Sequence, residues 1–236
     1  HAIELNCYWH HFDTDGDGVP DKSLEPLNKL IYAIYEKGMY PCLSVETYGV
    51  GGGQIPDGFW KKNPAALAVN SDGKTLRDTE YGFNTLVPSL FAPEYLAAAR
   101  TYIKSLTAGL NTKLILYYET TVEPQYIGNQ SLCYSNHARR AYERWLRNNK
   151  INSPRWPVSF PVPVSFRNSP VWQQFRAEYL ARWINEDAEV FRSVAGKSAY
   201  IAADYLETGG TDMVNRNGDS KIFLQHLTGP NIIQVN

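Results

Sequence analysis

The chain has 236 residues, a length that fits one large domain or two small ones and can bury a core without disulfide or metal staples. Its 43% hydrophobic and 20% charged content is ordinary for a globular protein and excludes a disordered or fibrous one. The net charge of -1, from 23 basic and 24 acidic residues, leaves no basic field for nucleic acid, and no apolar run approaches the roughly 18–20 residues of a membrane-spanning helix.

In chain order, residues 2–9 (AIELNCYW) read as a strand. Residues 24–37 place Leu27, Leu30, Ile31, Ile34 and Tyr35 at helical spacing, with Gly38 as the stop. Residues 40–45 (YPCLSV) predict a short buried strand, and residues 93–106 a helix with Pro93 at its start. Residues 113–119 (KLILYYE) are the clearest strand in the chain. Helices are expected at 137–149 and 170–194, a strand at 198–205, a short helix at 221–227 and a strand at 231–235. Two stretches, 47–90 and 152–169, lack a regular pattern. The first follows a strand and is rich in aromatic residues, so it is expected to wall the active face.

Near-continuously apolar strands alternating with helices imply a parallel sheet covered on both faces. A (β/α)8 barrel and a doubly wound sheet both meet this pattern. In either, ligands gather at the C-terminal ends of the strands. The positions to watch are therefore 9–11, 46–48, 119–123, 204–207 and Asn236.

The strongest chemical signal follows the best strand: Glu119-Thr120-Thr121-Val122-Glu123-Pro124. Two carboxylates four residues apart allow one to stand at the strand mouth while the other is held below. A carboxyl buried among aromatics keeps its proton and can serve as a general acid. The same pair also reads as two loop carboxylates in surface ion pairs. Asp13, Asp15, Asp17 and Asp21 have the spacing of positions 1, 3, 5 and 9 of a calcium loop, but position 12 is Leu24. The competing reading is an Asp/Gly turn whose side chains cap backbone amides. No other cofactor is expected. Gly49-Val50-Gly51-Gly52-Gly53 lacks the following helix that phosphate binding needs. Cys7, Cys42 and Cys133 form no CxxC pair, so free thiols are expected and a thiolate zinc site is not. A single sequon stands at Asn129-Gln130-Ser131, and the chain opens at His1 as a processed or excerpted chain would. The 16 Tyr and 6 Trp residues suit stacking on sugar rings as well as a large core. Trp9, Trp60, Tyr118 and Tyr205 are the candidates for stacking, and at least two are expected in one cleft.

These residues resemble clan-A glycoside hydrolases, and most closely the catalytic barrel of family 42 β-galactosidases. Tyr117-Tyr118-Glu119-Thr120-Thr121-Val122-Glu123-Pro124 resembles that clan's strand-4 signature, with Glu123 on the acid/base glutamate and Val122 where the clan usually has Asn. Residues 59–64 with Asp72-Gly73, residues 133–146 and residues 172–191 resemble the loop after strand 3, the helix after strand 4 and the next long helix. The family's Cys-rich zinc cluster is matched only at Cys133, so no zinc is expected. The resemblance implies an incomplete (β/α)8 barrel over 1–236, from strand 2 to strand 6. It implies a retaining glycosidase for β-linked sugars, with Glu123 as general acid/base. The nucleophile would come from strand 7, beyond Asn236; within the chain its candidate is Glu207, in a Glu-Thr-Gly sequence. Trp9, His10, Glu46, Trp60, Tyr118, Glu119, Tyr205 and Asn236 are the expected substrate contacts, and a carbohydrate is the expected partner. A catalytically silent carbohydrate-binding barrel and a non-glycosidase α/β protein with a calcium loop remain open.

Overall fold

A computed structural model describes residues 1–48, 54–79, 84–128, 130–152, 154–205 and 210–235, without the side chains of 205, 210–213 and 235. The chain opens with strand β1 (Ala2–Tyr8) and a helical turn α1 (Trp9–Phe12). Helix α2 (Glu25–Glu36) starts with Pro26 in its first turn and buries Leu27, Ile31 and Ile34 on one face. Strand β2 (Tyr40–Glu46) follows, then α3 (Asp57–Lys62) and a small hairpin of β3 (Arg77–Asp78) and β4 (Thr85–Leu86). Helix α4 (Pro93–Ala108) leads to β5 (Tyr117–Glu119). The serine hydroxyl of Ser135 caps α5 (Asn136–Asn148) by accepting the Ala138 amide at 3.2 Å. After α6 (Val164–Arg167) come the long α7 (Pro170–Ala195), β6 (Tyr200–Tyr205), α8 (Gly210–Asn217), α9 (Ser220–His226) and β7 (Ile232–Val235).

Among the described residues the main sheet is fully parallel, in the order β1-β2-β5-β6-β7. The order follows the chain without reversal. A doubly wound sheet reverses at a switch point, so the arrangement is an arc of a barrel. Leu43, Val45, Tyr118, Ile201 and Ala203 face outward into the apolar core beneath the helices. Tyr118 lies 5.2 Å from Phe191 of α7, ring centre to ring centre. The opposite, inward face carries Glu4, Asn6, Ser44, Glu46, Tyr117, Glu119 and Asp204 by the same alternation and register.

Two polar devices lock the helical layer. Arg100 of α4 bridges to Asp187 (2.8 Å) and Glu186 (2.7 Å) of α7. Burial pushes the Asp187 carboxyl up to about 7, against the pull of Arg100. Arg176, fully buried on α7, pairs with no carboxylate among the described residues. It donates to the carbonyls of Leu132 (2.7 Å), Val214 (2.8 Å) and Asn215 and lies 4.5 Å from the Tyr126 ring centre. It thereby ties the loop after β5 and helix α8 to α7.

The expected strand at 113–119 is shorter. Residues 112–114 form a 3-10 turn, and pairing begins only where the Leu116 amide reaches the Pro41 carbonyl. Two backbone bonds, Leu114 to Asn111 and Ile115 to Thr112, hold the turn against extension. The irregular stretches contain α3, the β3–β4 hairpin and α6, elements too short to show a period.

Candidate active site

The C-terminal ends of β2, β5 and β6 place three acidic side chains side by side. Pairing sets Ser44 opposite Glu119 and Glu119 opposite Ala202. Glu46 and Asp204 therefore stand two residues further along the flanking strands, diagonal to Glu119 on the same face. All three are buried. Glu46 accepts the Ser44 hydroxyl (2.6 Å), the Thr121 hydroxyl (3.1 Å) and the Val122 amide (3.3 Å). Burial nevertheless raises its carboxyl above the usual range. Among the described residues no donor meets either oxygen of Glu119 in hydrogen-bonding geometry. Burial first, then the charges of Asp204, Glu4 and Glu46, push the Glu119 carboxyl up to about 9, so it holds its proton at neutral pH. Glu4 completes this acidic face and accepts the Tyr117 hydroxyl at 2.9 Å.

Glu123 lies four residues past Glu119, in the loop above the strand, with φ 48° and its side chain partly exposed. Gln125 Nε2 lies 3.4 Å from its carboxylate, and Gln125 Oε1 accepts from Arg216 at 2.8 Å. Thr121 donates to the Tyr48 carbonyl as well as to Glu46, so this loop is tied to the end of β2.

Beside the loop lies a cavity of about 490 Å3 whose lining includes His10, Tyr48, Trp60, Asp78, Thr85 and Ile127. The segment after β2 does wall the C-terminal face of the sheet here, and His10 and Trp60 meet in one cavity. Burial and the neighbouring His11 hold the His10 ring below its ordinary value, against a hydrogen bond to the Gln54 backbone that raises it.

Trp9 and Tyr118 are corrections. Trp9 is fully buried, donates to Asp13 Oδ2 at 2.7 Å and stacks on Tyr102 at 5.9 Å. The chain turns into α1 at Trp9 itself, which swings the indole toward α4. Tyr118 points outward because it neighbours Glu119, and alternate strand residues take opposite faces. The Glu207, Asn236 and Gly49–Gly53 expectations and the Tyr205 side chain lie outside the described residues, as does Asn129 of the sequon.

The Asp-rich turn brings single carboxylate oxygens of Asp13, Asp15 and Asp17 within 4.8 Å of one another, a set that could hold a cation. Asp21 does not join them; it accepts the Thr14 amide at 2.9 Å and the Thr14 hydroxyl. Asp13 already takes the Trp9 indole and the amides of Gly16 and Gly18, each at 2.7 Å. Asp15 holds Lys62 at 2.9 Å. This bonding accounts for the turn through protein donors.

Sequence reasoning did not single out Ser44, and it marked the stretches that hold Asp204 and Thr121 without giving either residue a role. The signal for Asp204 was present: it stands in the last two residues of a strand, on the side opposite buried Ala203. No short motif marks Ser44, which acts only through Glu46; Thr121 acts through Glu46 and the Tyr48 carbonyl.

No protein-family model matches the sequence, and no curated protein matches it. Solved structures do. The whole chain (100%) is similar to a β-galactosidase from the psychrophilic Marinomonas ef1, at TM-score 0.74 and 11% identity, covering 36% of that chain. It is similar to Gan42B, a GH42 β-galactosidase, at TM-score 0.68 and 15% identity, over 89% of this chain and 32% of that one. It is similar to the PgaB (BpsB) glycoside hydrolase domain from Bordetella bronchiseptica at TM-score 0.63 and 15% identity, over 99% of this chain and 63% of that one. The chain spans about a third of the length of these β-galactosidases. At these identities the likeness establishes the fold: the sheet is an arc of the (β/α)8 barrel that glycoside hydrolases use.

Proposed function

We propose that this barrel arc binds β-linked sugars and contributes the acid/base carboxylate of a retaining glycosidase. The observation that supports the reading is the arrangement around β5. A buried, proton-holding carboxyl, Glu119, is set into the sheet between Glu46 and Asp204, and an accessible one, Glu123, stands in the loop above. Glu123 is the group that can touch substrate. In this reading it protonates the leaving glycosidic oxygen and then takes a proton from the attacking water. Glu119 does not contact sugar; its neutral carboxyl keeps a second negative charge from accumulating beneath the site. Retention needs a nucleophilic carboxylate about 5–5.5 Å from the acid. Glu207 stays a candidate for it, beside a residue from strand 7 of the barrel.

The test is hydrolysis of aryl β-galactosides and β-glucosides by the intact protein that carries this arc. Glu123→Gln should lower turnover by about 10²–10⁴-fold, the usual worth of general acid–base catalysis. The loss should shrink for dinitrophenyl glycosides, whose leaving group needs no proton. Glu119→Gln should cost less. Unchanged turnover in Glu123→Gln would remove the assignment. Val122 puts an apolar side chain where a sugar-contacting amide is expected, which favours the second reading, a barrel that binds sugars without cutting them. Saccharide binding without turnover on any substrate would select it.

A further inference from the structure

None of Glu46, Glu119, Glu123 and Asp204 is among the residues that line the cavity beside the β5 loop. Its volume of about 490 Å3 lies within the range of small-ligand sites. Buried Ile55, Val87 and Ile127 give it an apolar floor. Trp60 stands half-buried at its side, and Phe59 braces the indole edge-on at 5.2 Å and 75°. Phe59 is itself fully buried, so the indole face is presented in a fixed direction.

Two polar atoms in the wall are unfulfilled. His10 Nδ1 and Thr85 Oγ1 are both buried, and neither atom has a hydrogen-bond partner among the described residues. A buried polar atom left without a partner destabilises the fold that holds it. Two such atoms beside one aromatic face are what a hydroxyl-bearing ligand would satisfy. The rim sets the ligand's charge. Arg77 bonds the Asn84 backbone oxygen at 2.8 Å and its side-chain oxygen at 3.3 Å, exposed Asp57 stands beside the cavity, and buried Asp78 adds a second carboxylate in the wall. That balance disfavours phosphate, sulfate and uronate groups.

We propose that this cavity is a second saccharide site, where a neutral pyranose stacks on Trp60 and its hydroxyls bond to His10 and Thr85. Resting on the glycosidase reading, the site holds a sugar unit away from the bond being cut. The substrate class is then a neutral β-linked oligosaccharide of several units.

The experiment is calorimetric titration of the full chain with cellotetraose, β-1,4-galactotetraose and tetragalacturonate, run beside melting curves. At least one neutral tetraose should bind, and tetragalacturonate should not. Trp60→Ala should weaken the neutral ligand about tenfold, the worth of one stacked ring. Thr85→Val keeps the side-chain shape and removes the buried hydroxyl. It should raise the melting temperature while weakening binding, two effects of opposite sense that a purely structural threonine would not produce. Because Thr85→Val is expected to be the more stable protein, loss of binding there is not loss of fold. Failure of both neutral tetraoses to bind, equal affinity in wild type and both variants, or preference for tetragalacturonate would each overturn the site. Trp60-dependent binding without hydrolysis would keep the site and remove the glycosidase reading. Hydrolysis with Trp60-independent binding would do the reverse.

Discussion

Glu119 carries a proton in the folded protein that the unfolded chain would release. Its carboxyl lies near 9 and that of Asp187 near 7, both above the ordinary value near 4. The folded state therefore binds more protons than the unfolded state through this interval, and stability falls as pH rises. The contribution of both groups is complete below about pH 4 and is lost as pH climbs through about 7 for Asp187 and about 9 for Glu119. Melting temperature should thus decline between pH 5 and pH 9. Glu119→Gln, which supplies a neutral group of the same shape, should flatten that decline and raise the alkaline melting point. An unchanged slope in the variant would show that Glu119 ionises freely in the fold.

Among the elements, the Asp-rich turn and α3 act as one piece. A side chain at Gly58 would put its Cβ 2.3 Å from the Asp15 carbonyl oxygen, and one at Gly16, where φ is +75°, would come 2.3 Å from the Phe59 amide. Neither contact can be relieved by a rotamer change, because both involve backbone. Gly58→Ala should destabilise by about 1–3 kcal/mol, the cost of overpacking, measured as a lower urea midpoint. A neutral result would mean the turn separates from α3 readily. That junction was invisible in the sequence because α3 has six residues and its contacts come from a turn some forty positions away. The long helices α2, α4 and α7 were legible for the opposite reason: each repeats its apolar face over three turns or more and opens on a proline in its first turn. Trp9 shows the limit of reading a strand end: whether an aromatic faces a cleft or a helix depends on the residue at which the chain turns.

For the molecule as a whole, alternation of strand and helix was enough to give a parallel sheet, and only the unreversed strand order separated barrel from open sheet. The acidic pair at Glu119 and Glu123 could be read from one strand, but its flanking by Glu46 and Asp204 depends on register between strands far apart in sequence. The upper face they occupy is fastened by Arg176, whose charge is met by carbonyl dipoles. Counter-ions cannot enter that cage. Raising sodium chloride from 0.1 to 1 M shortens the screening length from about 10 to about 3 Å, yet the gap to be screened here is one hydrogen bond long and closed to solvent. Arg176→Met should lower the urea midpoint by the same amount at both concentrations. The exposed pair of Arg182 and Glu186, weak from the outset, should contribute still less at the higher one. A loop fastened in this way keeps its geometry across ionic strengths that would loosen one held by surface charge.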